Sequence, residues 1–214
     1  MLDQIGSKNM VQGSSTYFTS DRFGCPNSAL ALNGGWTHVP SGIYFNTPEF
    51  TISVWVYPQH VGNWSRIIDF GNGVQLSNIL LSLSDENSLA PFFEIYSGSK
   101  LNAATSSQKI TLNQWQLFAL TFNGIHAYLY LNGTLTAKLA LSYILPTLER
   151  SHCYIGKSNW PEDGYSSSYL DDLRFYNKSL TQTQIIELMS EDEISECSTT
   201  HVSTTTLSKF KIFL

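Results

Sequence analysis

The stretch LTFNGIHAYLYLNGTLTAKL, residues 120–139, contains the dipeptide Asn-Gly twice, nine residues apart. Asn and Gly tolerate the positive φ angles that both central residues of a type I′ turn require, and this turn matches the twist of antiparallel strands. Two hairpin turns are therefore predicted, at Asn123-Gly124 and at Asn132-Gly133. The seven residues between the turns are long enough for one strand. The sequence predicts a three-stranded meander formed by residues 115–122, 125–131 and 134–139.

The chain outside this stretch also has a two-residue period. In FTISVWVYP, residues 50–58, the side chains of Phe50, Ile52, Val54 and Val56 share one face, and polar or aromatic side chains occupy the other. Further short apolar runs are separated by turn residues, which gives about a dozen strands at the spacing typical of a β-sandwich. The predicted fold class is therefore all-β.

One segment departs from this period and predicts a short C-terminal helix. In SLTQTQIIELMSE, residues 179–191, Thr181 is the predicted N-cap and Gln184 completes a capping box. Ile185, Leu188 and Met189 fall on one helical face, which we expect to pack on the sandwich. The helix is predicted to end near Glu193.

Composition limits the class of protein. A chain of 214 residues is compatible with one all-β domain, and its 14% charged residues fall well below the average of roughly 25% for soluble domains. A surface built from Ser, Thr, Asn and Gln is typical of a secreted β protein. The net charge of −5 argues against nucleic-acid binding, and no apolar run is long enough for membrane insertion.

The predicted domain occupies residues 23–195. Residues 1–22 form an N-terminal flank without an apolar signal core, so either a signal peptide precedes this segment in a longer protein or the domain is intracellular. Residues 196–214 are rich in Thr and Ser and predict a linker or tail.

Three cysteines leave two alternatives open. Cys25 and Cys197 flank the patterned region, and a disulfide would clasp the two ends of a sandwich whose termini lie together. The alternative is three buried or unpaired thiols. Cys153, in the strand-like HCYIG, is predicted to be a small core residue.

Five phrases of this chain, in order, resemble the concanavalin A-like lectin/glucanase superfamily, specifically its laminin-G-like, pentraxin-related modules. The resemblance covers about residues 23–193 and rests on DRFGCPNSALALNGG, FTISVWVYP, NQWQLFALTFNGIHAYLYLNGTL, CYIGKS and YLDDLRFYNKSLTQTQIIEL. It implies a jelly-roll sandwich of two antiparallel sheets, one of them concave, with one short helix. It also implies an extracellular or cell-surface location in a multidomain protein, and a non-catalytic module that binds glycans or an extracellular protein.

Catalysis is not expected from this sequence. The glucanase branch uses paired carboxylates on one strand face. No such run is present here, and Glu94 is the only acidic residue of its predicted strand. No nucleophile elbow, zinc-protease motif or phosphate loop occurs. Two alternatives to the recognition module remain open: a degenerate glycoside hydrolase or its carbohydrate-binding appendage, and a structural spacer domain.

The resemblance also implies a structural calcium ion. Calcium prefers oxygen ligands and accepts carbonyl-rich loops with one or two carboxylates. The residues of this chain that match are Asp171 and Asp172, with carbonyl groups near Asn33 and Gly34. Neighbouring residues of a strand point to opposite faces, so at most one of the two carboxylates would serve such a site. The alternative is that one of them pairs with a cation such as Arg174 and the other is solvated.

Sugar binding requires an aromatic platform beside polar groups. The loop NWPEDGYSSSY, residues 159–169, contains Trp160, Asp163, Tyr165 and Tyr169, and Trp64 is a second loop aromatic. We predict these five as ligand-binding residues. The alternative is that the aromatic rings cap the ends of the core.

Three Asn-x-Ser/Thr triplets are candidate glycosylation sites in a secreted protein. They begin at Asn63, Asn132 and Asn177.

Overall fold

A computed structural model describes residues 13–86 and 88–190, together with the backbone of residues 212–213. Two β-sheets and one helix make up this part of the chain. The strands are β1 (Thr16–Thr19), β2 (Ala29–Asn33), β3 (Thr37–Val39), β4 (Phe50–Val61), β5 (Arg66–Gly71), β6 (Ile79–Ser82), β7 (Phe92–Ser97), β8 (Lys100–Thr105), β9 (Gln116–Phe122), β10 (His126–Leu131), β11 (Thr134–Ala140), β12 (His152–Ile155), β13 (Ser166–Tyr176) and β14 (Ile212–Phe213), and the helix is α1 (Gln182–Met189).

The two sheets form the predicted sandwich. Sheet A has the order β1-β2-β13-β4-β9-β10-β11, and the two-residue β14 runs parallel to β13 at its side. Sheet B has the order β3-β12-β5-β6-β7-β8, and all its pairs are antiparallel. The all-β, two-sheet jelly-roll class is confirmed. No described helix is long and apolar enough to cross a membrane.

The predicted meander is present in sheet A. Strands β9, β10 and β11 are consecutive antiparallel neighbours. Asn132 and Gly133 have φ angles of 49° and 73°, as the central residues of a type I′ turn require. A hairpin turn also joins β9 to β10 at Asn123-Gly124, but it is not type I′, because only Gly124 of this dipeptide has positive φ. There the Asn123 side chain closes a longer loop by accepting a hydrogen bond from the His126 N–H at 2.8 Å.

Gly133 also lies against helix α1, and this contact gives a stability prediction. A Cβ at this position would come within 2.8 Å of Ile186 Cγ1, whereas a Cβ on Gly98 would meet open space. Both glycines have positive φ, so alanine costs about 1–2 kcal/mol of backbone strain at either site. We expect Gly133→Ala to lower the free energy of unfolding in urea by more than Gly98→Ala does. Equal losses would mean that the helix does not rest on this turn.

The core lies between the sheets and follows the predicted alternation. Phe50, Ile52, Val54 and Val56 all belong to it, which confirms the inward face of β4. Cys153 is fully buried there, as predicted, and its thiol donates to the Arg150 carbonyl at 3.5 Å. Cys25 is buried as well. Cys197 lies outside the described residues, so the disulfide remains a prediction.

Helix α1 packs on the outer face of sheet A. Thr181 and Gln184 form the predicted capping box. Ile185 is fully buried against Leu117, Ala119, Tyr130 and Leu180, and Leu188 packs at the edge of this small second cluster. Two details of the prediction are wrong: the helix ends at Met189 rather than near Glu193, and Met189 is 37% exposed. The helix is only eight residues long, so Met189 falls on its last, fraying position.

Sheet A extends into the predicted N-terminal flank. Strand β1 lies within the predicted flank 1–22 and pairs with β2. The predicted tail 196–214 lies outside the described residues, except for the backbone of residues 212–213 beside Leu173 and Arg174.

Candidate functional site

Sheet B presents a cleft of about 500 Å³ on its outer face. In β7, Phe93 and Ile95 point into the core, so Glu94 and Tyr96 point outward. Loops before β5 and after β12 form the walls above these side chains. The lining residues are Asn63, Trp64, Arg66, Gln75, Glu94, Tyr96, Trp160, Glu162 and Asp163.

Arg66 is fixed at the base of this cleft. Its side chain is 3% exposed. Its Nη1 donates to the Trp64 carbonyl at 2.8 Å and to Ser82 Oγ at 3.1 Å, and its Nη2 donates to Asp163 Oδ2 at 2.8 Å. The guanidinium also lies 5.4 Å from the centre of the Trp160 ring. A planar donor held by three partners has little rotational freedom, so Arg66 connects the walls rigidly.

Asp163 fastens the loop that carries Trp160. Its Oδ2 accepts a second hydrogen bond from Ser158 Oγ at 2.6 Å, and Ser158 Oγ accepts one from the Trp160 N–H at 3.1 Å. The same loop is bound to β5, because the Asn159 N–H donates to Asp69 Oδ2 at 2.8 Å. Trp160 is thereby held over the sheet, with its ring 5.9 Å from that of Tyr96.

The loop that carries Trp64 is joined to the Trp160 loop by backbone contacts. The Gly164 N–H donates to the Asn63 carbonyl at 2.8 Å, and the Gly62 N–H donates to the Tyr165 carbonyl at 3.2 Å. A Cβ on Gly62 would come within 2.6 Å of that carbonyl oxygen, so this close approach requires glycine. The two indole rings therefore belong to one connected rim.

Burial alters the acidity of the carboxyl groups in and near the cleft. It raises the pKa of Asp163, against the opposing effects of the Ser158 hydroxyl and the Arg66 charge. It also raises the pKa of Glu94, again opposed by Arg66. The pKa of Asp69, which lies under the loop that carries Trp160, is raised by burial as well. In the described lining, three acidic residues stand against one cationic residue, Arg66, and the walls are aromatic.

The structure brings together three of the five predicted ligand-binding residues. Trp64, Trp160 and Asp163 line the cleft. Tyr165 is 42% exposed at the junction of the two loops and lies outside the lining. Tyr169 lies elsewhere, because β13 pairs with β4 in sheet A and sets its ring against Tyr57 at 5.6 Å.

Sequence reasoning missed Arg66, Gln75, Glu94 and Tyr96 of this lining. A usable signal was present in β7, where the pattern FFEIYS places an acidic residue and a tyrosine on the face opposite two apolar ones. Arg66 gave no such signal, because it begins the apolar strand RIIDFG and its partner Asp163 lies 97 residues away.

The four predicted calcium ligands do not form one site. Asn33 pairs with Ser167, four residues along β13 from Asp171, which corresponds to about 13 Å. Gly34 donates its N–H to the Ser166 carbonyl, in the same region as Asn33. No cluster of three or more acidic, His or Cys side chains suited to a metal occurs in the described part of the chain. This donor set does not fit a calcium ion.

Asp171 and Asp172 instead share a cation. Arg22 forms ion pairs with Asp171 and, at 2.9 Å, with Asp172. Arg174 pairs with Asp172 at 3.1 Å, as the alternative interpretation predicted. Its other part, a solvated second carboxylate, is wrong, because Asp171 and Asp172 are both buried. The expectation that the two carboxylates point to opposite faces is wrong. Asp172 has a φ of 47° within a β-bulge of β13, and this bulge interrupts the alternation.

The three candidate glycosylation residues, Asn63, Asn132 and Asn177, are exposed. Asn63 lies on the rim of the cleft. Asn132 uses its side-chain oxygen to accept a hydrogen bond from the Leu117 N–H at 2.9 Å. Modification at these positions remains a prediction.

Residues 31–186 match the family model described as the concanavalin A-like lectin/glucanases superfamily, laminin G type. The chain belongs to this superfamily, as its motifs predicted. No curated protein matches the sequence.

Solved structures with the same fold include several binding domains. Domain 4 of AbnA, an extracellular arabinanase from Geobacillus stearothermophilus solved with arabinotriose, is similar with a TM-score of 0.69 at 21% identity, over 86% of this chain and 88% of that one. The botulinum neurotoxin serotype D ligand-binding domain solved with N-acetylneuraminic acid has a TM-score of 0.62 at 16% identity, over 85% of this chain and 45% of that one. The binding domain of Paraclostridial Mosquitocidal Protein 1 has a TM-score of 0.65 at 16% identity, over 85% and 47%. This chain therefore spans just under half of the toxin binding domains.

Proposed function

We propose that this protein is a non-catalytic recognition module of a secreted or cell-surface protein, and that it binds glycans in the cleft of sheet B. The observation that carries the proposal is the pair of indole rings, Trp64 and Trp160, mounted on one rim above the fixed Arg66–Asp163 ion pair. Neighbours solved with arabinotriose and with N-acetylneuraminic acid support a carbohydrate ligand.

The chemistry of the cleft suits a sugar. An aromatic ring offers a flat apolar surface to the C–H face of a sugar ring, and the hydroxyl groups need polar partners beside it. Glu94, Gln75 and Asn63 supply such partners around Trp160. The side chains that hold the rim are already hydrogen-bonded to each other, so a ligand would meet a largely pre-organised site.

The cleft supports binding better than hydrolysis. A glycosidase needs two carboxyl groups that are available to the scissile bond, one as acid and one as base or nucleophile. Here Asp163 Oδ2 is occupied by both Arg66 and Ser158. The two remaining carboxyl groups of the lining are Glu94, half-buried on the floor, and Glu162, which is exposed to water at the rim. We therefore propose no catalytic residue.

We expect Trp160→Ala to weaken binding of the best neutral oligosaccharide from a glycan array by about tenfold or more, as is typical of a buried aromatic anchor. Isothermal titration calorimetry would measure the dissociation constants. Trp115→Ala is the matched control, because Trp115 is also half-buried but packs against Tyr57 at 5.6 Å, away from the cleft. Equal losses in both variants, or no binding by the folded protein to any glycan on the array, would contradict the proposal and favour a structural spacer.

A further inference from the structure

The charges that line the cleft are unequal in number. Glu94, Glu162 and Asp163 supply three carboxyl groups, and Arg66 is the single cationic residue among the lining residues. Glu162 is exposed at the rim, whereas Glu94 is half-buried on the floor. A ligand that enters therefore passes one carboxylate and meets another.

Arg66 is not available to recognise an anion. Carboxylates bind arginine best through two parallel N–H donors along one edge of the guanidinium. Both Nη1 donors are used, by the Trp64 carbonyl and Ser82, and one of the two Nη2 donors is used by Asp163. The Nε–H has no hydrogen-bond partner among the described residues but is buried, and the whole side chain is only 3% exposed. An incoming carboxylate would have to displace Asp163, and with it the anchor of the Trp160 loop.

We propose that the cleft selects neutral glycans and rejects glycans that carry a carboxylate, such as uronic acids and sialic acids. The proposal rests on the proposed glycan-binding function and names the ligand class of the same site. Hydroxyl groups can donate hydrogen bonds to Glu94 and Glu162, whereas a carboxylate placed there would face like charge. Glu94 and Glu162 thus act as specificity-determining residues through repulsion as well as attraction.

The test uses matched neutral and acidic oligosaccharides. The neutral probes are arabinotriose, xylotriose, cellotriose, lactose and methyl-esterified trigalacturonic acid, and the acidic probes are 3′-sialyllactose and free trigalacturonate. Dissociation constants are measured by calorimetry at low salt. Within the pairs lactose/3′-sialyllactose and ester/free acid, we expect the acidic member to bind at least about tenfold more weakly than the neutral one.

A double variant isolates the charge. Glu94→Gln with Glu162→Gln keeps the size and polarity of both side chains, and we expect it to reduce the neutral-to-acidic ratio at least about fivefold, as removal of like charge requires. High salt, which screens exposed charges, should reduce the ratio of the unmodified protein in the same direction.

The outcomes separate this inference from the proposed function. Acidic glycans that bind as tightly as their neutral counterparts, with binding still lost in Trp160→Ala, would overturn the neutral preference and leave glycan binding standing. A ratio that does not change in the double variant would also overturn it. Absence of binding to any probe, extended to a full glycan array, would overturn both.

Discussion

Arg22→Met is expected to lower the free energy of unfolding by about 3–5 kcal/mol, as the loss of one partner from a buried ion pair typically does. Arg22 is 8% exposed and holds two adjacent carboxylates, Asp171 and Asp172, which are 5% and 6% exposed. Burial, with the neighbouring charge of Asp172, already raises the pKa of Asp171 to about 7. Without Arg22, two buried like charges would share only Arg174. Urea unfolding at pH 8 measures the loss.

Arg174→Met is the matched control for this cluster. Arg174 is 22% exposed, and Asp172 would keep Arg22 in its absence, so we expect a loss of only about 1 kcal/mol. The loss in Arg22→Met should shrink as the pH falls below 7, because Asp171 has a raised pKa and becomes neutral there. Addition of Asp171→Asn to Arg22→Met should recover part of the stability. Equal losses in the two Arg variants, with no dependence on pH, would show that Arg22 does not compensate these charges.

Arg66→Met is expected to weaken glycan binding strongly and to destabilise the domain. The change removes the N–H groups that donate to the Trp64 carbonyl, Ser82 and Asp163. The two loops of the rim then lose the side chain that connects them. Removal of one partner of a buried pair costs about 3–5 kcal/mol, and a displaced rim should weaken binding by about 100-fold or more. Urea unfolding and calorimetry on the same preparation measure the two effects.

Arg66→Lys separates charge from geometry. Lysine keeps the positive charge beside Asp163 but cannot donate in the fixed fork that serves three partners. We expect this variant to remain folded and to bind between the levels of the unmodified protein and Arg66→Met. Native affinity in a folded Arg66→Met protein would show that the ion pair with Asp163 does not organise the cleft.

The features that sequence predicts well are those whose causes lie within a few residues. The turn at Asn132-Gly133 needs two residues that accept positive φ, and the capping box needs Thr181 and Gln184 three positions apart. In β4, every second residue is apolar and belongs to the core, so the sequence identifies the buried face directly. The turn, the capping box and this strand therefore all have the structure that their local sequence predicts.

The features that sequence could not predict depend on distant contacts or on interrupted periods. Tyr169 and Trp160 are close in sequence, yet pairing of β13 with β4 places Tyr169 in sheet A while Trp160 stays above sheet B. A β-bulge at Asp172 interrupts the alternation of β13, and no local sequence pattern predicts this bulge. The centre of the site, Arg66 with Asp163, joins residues 97 positions apart. Three of the five ligand candidates line the cleft, in loops whose aromatic residues made them candidates.

The five tryptophans allow the most direct test of a glycan site on sheet B. Trp64 and Trp160 line the cleft, whereas Trp55 packs beside the cluster under helix α1 and Trp115 packs on Tyr57. Lys157 covers Trp36, with its Nζ 4.4 Å from the ring centre.

Each indole N–H gives one signal in a proton–nitrogen correlation spectrum, assigned by single Trp→Phe variants. Titration with the best neutral oligosaccharide from the array should move the signals of Trp64 and Trp160 and leave the other three in place. Movement of Trp55 or Trp115 instead, with Trp64 and Trp160 unchanged, would place the ligand on sheet A and contradict the account.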